Sequence, residues 1–87
     1  MKKDIRNEFT AIVRKVIGKP NMEEKELLGM LFIDEGYIDS FQLVEMIAEL
    51  EEKFGVKFSS AELTSKQFRT FKGVLEIIEG NLGKKKK

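Results

Sequence analysis

Three observations predict an all-α fold, a small four-helix bundle of three longer helices and one short one, with a long loop after the first. Apolar residues recur at helical spacing in residues 3–17, 40–54 and 71–82. Start and stop residues bracket these stretches: Asp39 and Thr70 precede two of them, and Gly18 and Gly55 follow two. A shorter stretch opens with Ser59 and carries Glu62 three residues on, the spacing of a capping box. The 87 residues suffice for one domain, placed at residues 1–83, with residues 84–87 as a disordered basic tail. A core of this size is marginal, so most apolar side chains must be spent on it.

The first helix is read over residues 3–17. Ile5, Phe9, Ile12, Val13, Val16 and Ile17 make one apolar face, with Lys3, Arg6, Asn7, Arg14 and Lys15 opposite. Gly18 caps it, and Pro20 stops it. Residues 18–39 are then long for a connection inside a compact domain and call for internal anchoring. A short helical turn between Glu23 and Leu31, and burial of Leu31-Phe32-Ile33 against the bundle, would supply it. Asp34-Glu35-Gly36 is a turn, and its acids lack the alternating spacing of a calcium loop.

The second helix occupies residues 40–54, with Asp39 as N-cap, Gln42 completing a capping box, and Leu43, Val44, Ile47 and Leu50 as its buried stripe. Glu45, Glu49 and Glu52 mark its outer face. The short third helix falls around residues 60–64, where Ala61 and Leu63 are candidate lining residues. The last helix, residues 71–82, buries Phe71, Val74, Leu75, Ile78 and Leu82 and ends at Gly80 and Gly83. Gly73 in its interior costs about 1 kcal/mol relative to alanine, which close approach to the second helix would explain.

The chain has no His and no Cys. A Ser-His-Asp triad, a Cys-His dyad and the usual zinc sites are therefore impossible within it. Neither a Gly-x-x-x-x-Gly-Lys-Ser/Thr loop nor a Gly-x-Gly-x-x-Gly turn occurs. Ser40, on the first turn of the second helix, has no histidine to activate it, so any reaction at its hydroxyl needs another protein's machinery. No apolar run approaches the roughly 20 residues needed to cross a bilayer, and Met1-Lys2-Lys3-Asp4 lacks the uninterrupted apolar segment of a signal peptide; a cytoplasmic location is expected, with no stable membrane insertion.

The net charge of +1 conceals segregation. Residues 23–52 hold ten acids against one base, Lys25, a net −9, whereas residues 1–22 carry +4 and residues 53–87 carry +6. The acidic middle surrounds Ser40 and steers basic partner surfaces toward it. It also argues against nucleic-acid binding, for which the lysine tail alone is a poor case.

The stretch Gly36-x-x-Asp39-Ser40-Phe41, followed by an acidic amphipathic helix, resembles the attachment site of the acyl carrier protein family, the phosphopantetheine-binding carrier domains. The resemblance runs over about residues 3–82 and includes the long first loop and the short third helix. It implies a carrier, not an enzyme: a monomer whose Ser40 receives 4'-phosphopantetheine from coenzyme A and then carries acyl or aminoacyl groups as thioesters. It implies that Ser40 Oγ attacks the β-phosphate of coenzyme A in a magnesium-dependent phosphopantetheinyl transferase, with Asp39 helping to hold the metal or the entering phosphate. Glu45, Met46 and Glu49 would dock the transferase, a loading ligase and downstream biosynthetic enzymes. Phe41 and Gln42 stand where fatty-acid carriers usually show Leu and an acid. Leu31-Phe32, Phe54-Gly55-Val56 and Phe68-Arg69-Thr70 look nearer to stand-alone carriers such as the D-alanyl carrier proteins, and a specialised carrier for a polyketide, amino acid or modified lipid is equally open. The alternative from another class is an unmodified helical interaction module with an acidic docking face.

Overall fold

The computed structural model describes residues 5–85, with side chains as far as Leu82. Three long helices, α1 (Ile5–Ile17), α3 (Ser40–Phe54) and α5 (Phe71–Lys85), are joined by two short ones, α2 (Glu24–Leu28) and α4 (Ser60–Leu63). A 3-10 turn, Lys66–Arg69, leads from α4 into α5. Extended pairing among the described residues is limited to an isolated antiparallel bridge between Leu31 and Thr70. No described helix is long and apolar enough to cross a membrane. The all-α bundle is as expected, and α2 is the helical turn foreseen inside the long loop.

Local chemistry sets most helix ends. At the end of α1, the Gly18 N–H donates to the Lys15 carbonyl at 3.2 Å and the Lys19 N–H to the Arg14 carbonyl at 3.0 Å. This is the Schellman pattern. The Gly55 N–H closes α3 on the Glu51 carbonyl at 2.9 Å. Ser59 and Glu62 form the reciprocal capping box that opens α4. The Gly73 N–H donates to Thr70 Oγ1 at 3.1 Å, so Thr70 caps α5.

One end differs from expectation. Helix α5 runs past Gly80 and Gly83 to Lys85, beyond the end expected at those glycines. Gly80 does not adopt a positive φ and so does not break the helix. Lys86 and Lys87 lie outside the described residues.

The core is held together by rings. Phe32 stacks on Phe71 at 4.2 Å between centroids and 9° between planes. Phe9 meets Phe71 edge-on, and Phe68 meets both Phe32 and Phe58 edge-on. Five rings therefore tie together α1, the long loop, the link after α3, the 3-10 turn and α5. Within Leu31-Phe32-Ile33, Phe32 alone is fully buried; Leu31 and Ile33 are 38% and 45% exposed, against the expectation that all three tuck inward. One large ring, together with Leu27 and Met30, is enough to pin the loop.

Gly73 makes a close approach, but not to α3. A Cβ on Gly73 would sit 1.9 Å from the Gln67 carbonyl oxygen of the 3-10 turn. The backbone there cannot yield as a flexible side chain would. Helix propensity alone says that Gly73→Ala should stabilise by about 1 kcal/mol. The clash reverses the sign, and we expect a loss of about 1–3 kcal/mol in urea denaturation, the usual cost of overpacking. A midpoint at or above wild type would contradict this packing.

Candidate functional site

The approach to Ser40 is built by a turn with one left-handed position, which a glycine fills. The Glu35 N–H bonds to the Leu31 carbonyl at 2.8 Å, the Gly36 N–H to the Ile33 carbonyl at 3.1 Å and the Tyr37 N–H to the Phe32 carbonyl at 3.0 Å. Closing this turn puts Gly36 at φ +78°, in the left-handed region that side chains avoid. Ile38 then returns to the core, and the chain emerges at Asp39-Ser40, both exposed. Buried Phe32 on one side and buried Ile38 on the other thus hold a surface junction.

Asp39 is the N-cap of α3. Its Oδ1 accepts from the Gln42 N–H at 2.8 Å, and its own N–H donates to Gln42 Oε1 at 3.1 Å. Gln42 Nε2 also donates to the Val16 carbonyl at 3.3 Å, near the end of α1. One glutamine therefore closes the cap and fastens the start of α3 to α1. Because Asp39 does the capping, the Ser40 hydroxyl is not needed for it. We expect Asp39→Ala to cost about 0.5–2 kcal/mol, seen as a melting temperature lower by several degrees. An unchanged melting temperature would mean the cap contributes nothing.

The first backbone bond of α3 runs from the Leu43 N–H to the Asp39 carbonyl, at 2.9 Å. The amides of Ser40 and Phe41 precede it and have no carbonyl of their own helix to donate to. The first turn of α3 carries no acidic residue. Ser40 thus offers an exposed hydroxyl at the positive end of a 15-residue helix, where a phosphodiester is favoured. Those features fit a covalently attached phosphopantetheine.

The docking residues read from the sequence separate in space. Met46 is fully buried and belongs to the core, so it is withdrawn from the docking surface. Its neighbour Leu50 is fully buried too, while Leu43 and Ile47 are half-buried around them. At 3.6 residues per turn, this places the centre of the buried stripe near residues 46, 47 and 50 and leaves Val44 to one side. Val44, expected in the core, is 64% exposed, and Phe41 is 72% exposed. Glu45 is exposed beside them. Glu49 turns toward α1 and pairs with Lys15, its Oε2 2.7 Å from the ammonium. Phe41 and Val44 were missed as surface residues; the signal was Phe41 itself, a large ring at a position opposite the buried stripe. Ala61 is exposed and Leu63 half-buried on α4.

Comparison with known proteins agrees with this geometry. Residues 7–78 match the family model described as "Phosphopantetheine attachment site". The chain is 36% identical over 62 residues to a protein named "Acyl carrier protein" from Coprothermobacter proteolyticus, covering 70% of this chain and 73% of that one. The fold and the match define the class, a phosphopantetheine-attachment domain that carries its cargo and is not an enzyme. Within that class, the chain belongs to the acyl carrier protein family.

Proposed function

We propose that Ser40 is the attachment point of the prosthetic arm and that the outer face of α3 delivers the loaded chain to its partner enzymes. The observation that carries this reading is the exposed hydroxyl on the first turn of a capped helix, next to an exposed face of Phe41, Val44 and Glu45. When bound, the arm supplies a terminal thiol on which acyl or aminoacyl groups ride as thioesters. The residues of this chain do the holding and presenting. Ser40 Oγ attacks the β-phosphate of coenzyme A inside a transferase, the P–O bond to the nucleotide portion breaks, and the hydroxyl proton passes to a base of that enzyme. Asp39 and Gln42 fix the helix start, so that the hydroxyl stays at its positive end.

Partner recognition follows from charge and exposure. Phe41 and Val44 offer apolar surface next to the acid Glu45, which fits an enzyme face with a shallow apolar depression rimmed by Arg or Lys. A phosphopantetheinyl transferase and a loading ligase are the expected partners. Attachment also raises the effective concentration of cargo at whichever enzyme α3 engages. The test is incubation of the full chain with coenzyme A, magnesium and a broadly acting transferase, read by intact mass. One arm per chain is expected. No added mass leaves only the unmodified interaction module.

A further inference from the structure

Successive residues of a helix are turned by about 100°, so Phe41, Val44, Glu45 and Ala48 share the outer face of α3 while Glu49 falls on the flank it shares with Gln42. That flank faces α1, as the bond from Gln42 to the Val16 carbonyl records. Here Lys15, in the last turn of α1, places its ammonium 2.7 Å from Glu49 Oε2. The neighbouring cation Arg14 is otherwise engaged, its Nε donating to the Met22 carbonyl at 2.9 Å. Lys53 lines the same shallow groove as Ile12, Glu49 and Glu52.

We propose that Lys15 is an internal competitor for Glu49. It withholds this carboxylate from basic partner surfaces and so confines docking to the two turns of α3 nearest Ser40. The proposal rests on the reading of α3 as the docking helix. A carboxylate oxygen already paired with an ammonium at 2.7 Å attracts a second cation less strongly than a bare carboxylate does. Both members are solvent-accessible, their side chains 69% and 37% exposed, so displacement is possible and the pair acts as a bias and not as a lock. Lys15 is kept in place by its own helix as well, because a cation in a last turn meets the negative end of the dipole. Lys15 is thus a specificity-determining position: it weakens partners whose cations extend along α3 to Glu49, the phosphopantetheinyl transferase among them.

The experiment is transferase kinetics on the full chain with coenzyme A, varying carrier concentration, for wild type, Lys15→Gln, Lys15→Arg, Glu49→Gln and the double variant Lys15→Gln/Glu49→Gln. We expect Lys15→Gln to lower KM by about two- to fivefold, the range of an exposed ion pair, with kcat unchanged. Lys15→Arg keeps the wild-type KM. Glu49→Gln raises KM more in the Lys15→Gln background than beside Lys15, so the two substitutions are non-additive. Additive effects, or a KM for Lys15→Gln at or above that of wild type, overturn the proposal. Melting curves of all variants are recorded alongside, since a purely structural pair would change stability and leave KM alone. If wild type accepts no arm at all, the carrier reading of Ser40 fails and takes this with it. If it accepts the arm and the effects add, only the role of Lys15 is lost.

Discussion

Ser40→Ala is expected to abolish attachment of the arm completely while leaving the fold intact. The two halves of this expectation have separate causes. Attachment needs an oxygen nucleophile at this position, and alanine has none. Stability is spared because Asp39, not Ser40, satisfies the Gln42 N–H, and because alanine is the best helix former at an exposed first-turn position. The melting temperature should therefore move by no more than an exposed substitution usually allows, about 0.5 kcal/mol in free energy. A serine whose hydroxyl capped its own helix would cost about 1 kcal/mol when replaced. Intact mass and a melting curve on the same sample separate a chemical role from a structural one.

Phe32→Ala is expected to cost about 3–5 kcal/mol, the range for truncating a buried aromatic side chain. Phe32 is fully buried, stacked on Phe71 and edge-on to Phe68. No other ring of the five-ring chain belongs to the long loop between α2 and α3. Removing it opens a cavity between that loop and α5 that neighbouring backbone cannot fill. Small domains hold only about 5–15 kcal/mol in total, so the variant should be partly unfolded at physiological temperature. The turn that ends in Ser40 is hung from the Phe32 carbonyl through the Tyr37 N–H, so acceptance of the arm should fall with stability. Urea denaturation checks the first point, and a loss under 1 kcal/mol would mean that other contacts pin the loop.

What could be read in the sequence divides by range. The caps at Asp39, Ser59 and Thr70 and the helix stops at Gly18 and Gly55 involve partners three to five residues away, and the structure contains them as expected. The Asp-Ser junction is local too, and its exposure follows from the cap. Features that depend on distant neighbours were misjudged. Val44 and Met46 are both apolar, and only the packing of α3 in the bundle, against α1, decides that Met46 faces the core. Gly73 announces a close approach, but its neighbour, Gln67, is fixed by the path of the 3-10 turn. Phe32 is buried and its two neighbours are not, because the ring finds Phe71 across the bundle. The pairing of Lys15 with Glu49 spans 34 residues and has no local signature. Charge counting gives both acids to the docking face, whereas among the described residues Glu49 is paired with Lys15 and Glu45 has no such ion pair.

The site therefore depends on a single oxygen held outside the core where a foreign enzyme can reach it. The most direct check is to treat the wild-type chain with coenzyme A and a transferase, digest it, and locate the added phosphopantetheine by fragmentation mass spectrometry. Modification of Ser40, and of no other hydroxyl, is the expected result. An arm on any other residue, or an unmodified peptide spanning Ser40 after the transferase has been shown active on a control carrier, would contradict it.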